Sequence, residues 1–191
     1  MRGGALARLF LLTRPEVDRV IPSPRLRPAP AVEALAMSGV AESPPSNVQW
    51  NVMMIGADKV WSEFGATGEG IVVGQSDSGV DGAHPELAER YRGNASGDDY
   101  NWFDPWNQKP SPYDDGGHGT HTLGTILGKN GIGIAPGATW IGCVNLNRNL
   151  ANPALYLDCM QFMLAPFPQG GNPFTDGDPT RAADVLNNSW G

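Results

Sequence analysis

Two short segments of the chain carry residue types that move protons. Asp77 closes the apolar run Gly70 to Asp77 (GIVVGQSD) and leads into Ser78-Gly79, so its carboxylate ends a buried strand where the N–H groups of a turn can fix it. His118 follows Gly116 and Gly117 and opens His118-Gly119-Thr120-His121, a helix entrance with little side-chain bulk around it. An imidazole in that position suits a general base. The helix dipole disfavours imidazolium there, so the base needs a carboxylate partner as it gains a proton, and Asp77 is the natural one.

Each of these residues also has a plainer reading. An Asp before Ser-Gly can simply cap a turn. His118 and His121, three apart and near one helical face, could bind a metal with Asp77, Asp114 and Asp115 and serve a metal-dependent hydrolase. Zinc helices more often space two His four apart with a Glu between them, and no such Glu is present. His121, one turn into the helix, reads better as a packed core histidine.

The elements that must position these groups follow from the pattern of apolar residues. Ile55, Val60, Trp61 and Phe64 fit a helical stripe ended at Gly65, and His118 to Leu127 fits a helix entered through Asp114, Asp115, Gly116 and Gly117. Thr139 to Leu146 (TWIGCVNL) and Ala183 to Ser189 (ADVLNNS) read as strands. Asn152-Pro153 supplies a cap and a first-turn proline for a helix to Pro166. Alternating strands and helices predict an α/β fold with a parallel sheet, whose ligands gather beyond the carboxyl ends of the strands. Asp77 and Ser189 both fall at such ends. Tyr91 to Asp115, rich in aromatic, Gly, Asn, Asp and Pro residues, reads as a long loop packed onto this body.

Composition narrows the function classes. The chain has 191 residues, 25 Gly and 17 Pro, enough for one domain with a short appendage and too many breakers for a helical bundle. Residues 1–30 carry a net +4 and residues 31–191 a net −11, so the body is acidic and nucleic acid is not an expected partner. No apolar run approaches the ~18 residues of a membrane span. Ala5 to Leu12 is interrupted by Arg8 and followed by Arg14-Pro15-Glu16, which does not read as an export signal. Cys143 and Cys159 could pair with each other, pair with another partner, or stay reduced. In the head, Leu6 to Leu12 suggests a helix broken at Pro15, with Val17, Val20 and Ile21 extended after it. The stretch SGVAESPPSN, within residues 38–47, reads as a linker between this head and the body.

Asp77-Ser78-Gly79 with Val80, Asp81, His84 and Pro85, then His118-Gly119-Thr120-His121 with Gly124-Thr125, resemble the aspartate and histidine blocks of subtilisin-like serine peptidases. GIAPG at 133–137 and Asn188-Ser189-Trp190-Gly191 extend the resemblance, and YNWFD, SPYDDGGHGTH, WIGCVNL and NNSWG look most like the bacillopeptidase F type of subtilase. The resemblance spans residues 48–191 and implies a doubly wound parallel sheet and peptide-bond hydrolysis by a triad in the order Asp, His, Ser. It implies that Asp77 orients the base, that His118 is the base, and that Ser189, Trp190 and Gly191 pair with an extended protein or peptide substrate, with Trp190 between two side-chain pockets. Residues 1–37 resemble the tail of an inhibitory propeptide, and the family is secreted.

The chain also departs from the family pattern. The nucleophile's Gly-Thr-Ser-x-Ala context is absent; only Ser189 of the ten serines lies after His118, and it lacks a Gly two residues earlier and a following helix. The expectation is therefore an amino-terminal, inactive piece of a serine endopeptidase, truncated before the catalytic Ser; the alternative is a non-catalytic peptide-binding or structural remnant. The resemblance also implies a structural calcium near Glu86, against which the short loop Lys129 to Ile132 argues; no other cofactor is expected.

Overall fold

A computed structural model describes residues 4–21, 47–147 and 150–190. The elements in order are α1 (Ala5–Leu12), α2 (Trp50–Met54), α3 (Ala57–Phe64), β1 (Val72–Asp77), α4 (Gly93–Ser96), β2 (Trp102–Phe103) and α5 (His118–Leu127). They continue with β3 (Thr139–Val144), β4 (Leu146–Asn147), β5 (Leu150–Ala151), α6 (Pro153–Leu164) and β6 (Val185–Asn187).

The two apolar runs read as buried strands, β1 and β3, pair in parallel from Val72↔Thr139 to Asp77↔Val144. β6 joins β1 in parallel at Val73↔Val185 and β2 joins β3 at Trp102↔Gly142, giving the order β2-β3-β1-β6. Alternate residues of a strand face opposite sides of the sheet. Val73, Trp140 and Val144 accordingly join Leu87, Leu123 and Leu127 in a core beneath α5. Ile141 and Cys143 join Cys159, Phe162, Met163 and Phe167 in a second core beneath α6. With both faces covered, the sheet is the doubly wound α/β arrangement that the alternation of elements implies.

Of the three states open to the cysteines, the structure adopts a Cys143–Cys159 disulfide, which ties β3 to α6 inside the second core. Asn152 caps α6 as read, its side chain accepting from Ala154 N at 3.0 Å, and the helix ends at Leu164, two residues early.

The stretch 91–115 packs onto the body, and where the sequence predicts only loop it also contributes α4 and β2. Trp102 is buried in the core, its indole N–H donating to Lys109 O at 3.1 Å. Burial pushes the Tyr91 phenol far above its ordinary pKa, reinforced by its hydrogen bond to Asp98.

Two expectations need correction. The stripe at 55–64 is not one helix: Gly56, at φ 75°, separates α2 from α3. Ile55, Val60 and Phe64 lie exposed while Val52 and Ala57 are buried. His121 is exposed rather than packed: Leu123 and Leu127 face the core, and a residue two before Leu123 points the other way on a helix. In the head, α1 buries no residue. The expected linker at 38–47 lies outside the described residues apart from Asn47. Among the described residues, no helix is long and apolar enough to cross a membrane.

The disulfide closes a loop with a sequence separation of 16. Replacing both cysteines (C143A/C159A) should therefore cost about 3 kcal/mol in urea unfolding, more if the vacated volume stays open. An unchanged midpoint would contradict the pairing.

Candidate active site

Asp77 is fully buried at the carboxyl end of β1. Its Oδ1 accepts from Ser78 N at 2.6 Å and lies 2.7 Å from His118 Nδ1; its Oδ2 receives the Thr122 hydroxyl at 3.5 Å. His118 is the first residue of α5, and its side chain is 48% exposed. A carboxylate accepts, so the imidazole Nδ1 carries the proton, and in the neutral ring Nε2 keeps its lone pair. The structure thus brings together the two residues that the sequence singled out, with one ring nitrogen engaged and the ring half open to solvent.

Backbone contact and a neighbouring carboxylate hold α5 in this place. Gly117 precedes the helix at φ 74°, a conformation that costs glycine little and turns the chain sharply into His118. At Gly119 a Cβ would overlap the carbonyl oxygen of Gly79 and come within 3.0 Å of the Asp77 Cβ, so only glycine lets the helix start lie directly on the turn after β1. The free N–H groups of the first helical turn are met from outside the helix. Ser78 Oγ accepts from Gly119 N at 3.0 Å, and Asp114 Oδ2 accepts from Thr120 N at 2.9 Å and from Thr120 Oγ1 at 2.7 Å. Asp114 Oδ1 accepts from Ser78 Oγ and from Gly116 N, both at 3.0 Å. Asp114 is thus a cap whose charge favours the helix N-terminus.

The metal-site alternative finds no support in this geometry, since His121 turns to solvent and Asp114 is occupied as a cap. The described residues hold no group of three or more His, Cys, Asp or Glu side chains arranged around a common point. At the implied calcium position, both Glu86 oxygens face Asn130 Nδ2, at 3.0 and 2.9 Å. An amide donor there occupies the carboxylate, and the residues do not fit a cation.

The proposed substrate strand lies beside the same strand end. Trp190 Nε1 donates to Ser76 O at 2.9 Å, and its indole stacks on Tyr156 with ring centroids 4.0 Å apart and planes 22° apart. Ser189 is exposed, its hydroxyl donating to Asn187 Oδ1 at 2.9 Å; Gly191 lies outside the described residues. Sequence reasoning missed Gln75, Ser78, Thr122 and Asn145, which contact the strand end or the start of α5. Gln75 carries a signal in the sequence, as a long uncharged polar residue directly after the apolar run Ile71 to Gly74.

The model of the subtilase family matches residues 68–191, from just before β1 through the final strand. The chain belongs to the subtilase family. It is 37% identical to bacillopeptidase F of Bacillus subtilis over 190 residues, covering 93% of this chain and 13% of that protein. Fervidolysin of Fervidobacterium pennivorans is 33% identical over 163 residues, 76% of this chain and 20% of that protein. Subtilisin E of Bacillus subtilis is 34% identical over 119 residues, 60% of this chain and 28% of that protein. The chain thus spans less than a third of the length of these relatives.

The close approach at Gly119 separates two glycines of one helix. Gly119→Ala should destabilise the chain by at least about 1–3 kcal/mol through overpacking against Gly79. Gly124→Ala, where a Cβ meets nothing within 4 Å, should be neutral or stabilise by up to about 1 kcal/mol. Thermal unfolding of the pair tests this, and equal effects would contradict the packing of α5 on the turn.

Proposed function

We propose that residues 48–191 are the amino-terminal part of a serine endopeptidase catalytic domain, holding Asp77 and His118 of an Asp-His-Ser triad whose serine lies outside these 191 residues. The observation that carries this reading is the 2.7 Å contact between a fully buried Asp77 carboxylate and a half-exposed His118 at the carboxyl end of the sheet. In this reading, the serine hydroxyl gives its proton to His118 Nε2 as its oxygen attacks the scissile carbonyl carbon. Asp77 stabilises the imidazolium, which then passes the proton to the leaving amine. In this reading Ser189 is not the nucleophile: its hydroxyl is engaged with Asn187, and it lacks a Gly two residues earlier.

Ser189, Trp190 and Gly191 would pair with the backbone of an extended peptide, which reads chain direction rather than sequence. Residues 1–37 would be a propeptide remnant acting as an inhibitor, joined through the linker at 38–47. Secretion is supported by the Cys143–Cys159 disulfide, a bond that persists in oxidising compartments. The reading calls for no cofactor, nucleic acid or membrane.

Two experiments test the proposal. A serine-directed fluorophosphonate should leave the 191-residue chain unlabelled; stoichiometric labelling of Ser189 would overturn the role assigned to it. In a longer natural chain that contains the serine block, His118→Ala should lower kcat on the order of 10⁴-fold or more with little change in KM. Retained turnover would remove His118 from the reaction.

A further inference from the structure

Resting on the triad reading, we propose that Gln75 is a positioning residue that sets the first turn of α5 against β1 and couples it to the substrate strand. Gln75 is 1% exposed and lies two residues before Asp77, so both side chains leave β1 on the face covered by α5. Its Nε2 donates to Gly119 O at 3.0 Å and to Thr122 Oγ1 at 2.7 Å. Its Oε1 accepts from Asn187 Nδ2 at 2.9 Å, and Asn187 is the last residue of β6, two before Ser189. The amide orientation is fixed by these partners, because exchanging its O and N would set two acceptors and two donors face to face.

The Thr122 hydroxyl has one proton. Since Gln75 donates into its oxygen, that proton must go elsewhere, and the acceptors in reach are Gly119 O at 3.2 Å and Asp77 Oδ2 at 3.5 Å. With that proton on Asp77 Oδ2, a path of partly buried hydrogen bonds runs from Asn187 through Gln75 and Thr122 to the carboxylate that faces His118. Such a path strengthens as each bond polarises the next, and it weakens as a unit when its centre is removed. Removing Gln75 leaves His118 and Asp77 chemically intact but frees the helix turn that aligns them. It also leaves the Asn187 amide without its acceptor.

The test reads the proton between His118 and Asp77 directly, in the full 191-residue chain, as the low-field Nδ1–H resonance in water. The wild-type chain should show a resonance protected from exchange that Asp77→Asn abolishes. Gln75→Met, which keeps the length of the side chain but none of its hydrogen bonds, should lose the resonance to exchange with water and lower the unfolding midpoint. The double variant Q75M/N187L removes the stranded donor as well, so it should recover the midpoint without recovering the resonance. If Q75M retains the resonance, or if the resonance returns together with stability in the double variant, Gln75 is only structural and the inference falls while the dyad stands. If the wild-type chain shows no resonance that Asp77→Asn removes, both the dyad and the role of Gln75 fail.

Discussion

A carboxylate with no exposed surface must find its donors inside the protein, because burying it unpaired would cost several kcal/mol. Asp77 meets this constraint with three groups: the Ser78 N–H, the His118 ring and the Thr122 hydroxyl. Two of the three come from α5, so the helix has to start at the end of β1, close enough for backbone to touch backbone. That proximity explains the glycine at 119 and the caps contributed by Ser78 and Asp114. The pairing of a strand end with a helix start is thus a demand of the buried charge, and the site is its consequence.

The rest of the fold secures the two elements that meet there. β1 lies inside the sheet between β3 and β6, with its registers fixed on both sides. α5 is anchored at Leu123 and Leu127 in the same core as Val73, Leu87 and Trp140. The stretch 91–115 closes that core through Tyr91 and Trp102, and Asp104 organises its far end by accepting from the N–H groups of Trp106, Asn107 and Lys109. On the opposite face the disulfide holds α6 to β3, and Tyr156 on α6 supports Trp190 beside the strand end. Function and stability share one scaffold: the side toward α5 carries the dyad, and the side toward α6 carries the candidate substrate strand.

What could be read from sequence was what local chemistry dictates. The apolar runs gave β1 and β3, Asn152-Pro153 gave the start of α6, and two glycines before a histidine gave the start of α5 and the pairing with Asp77. What was lost depended on tertiary context. β2 has two residues and exists because Trp102 pairs beside Gly142, which no periodicity of so short a segment reveals. The apolar stripe at 55–64 looked like one buried helix, but a left-handed Gly56 divides it and turns much of it to solvent. The exposure of His121 follows from its angular position relative to Leu123, which its closeness to the helix start does not reveal. The roles of Gln75 and Asp114 depend on partners more than thirty residues away or across the helix entrance, and spacing alone does not register them.

Asp77 fixes the histidine proton on Nδ1 and leaves Nε2 of the neutral ring free to accept one. A long-range nitrogen–proton correlation spectrum of the neutral His118 ring reads that tautomer directly. The expected spectrum is a single pattern with the proton on Nδ1. A proton on Nε2, or the mixture of tautomers found in a free imidazole, would contradict it.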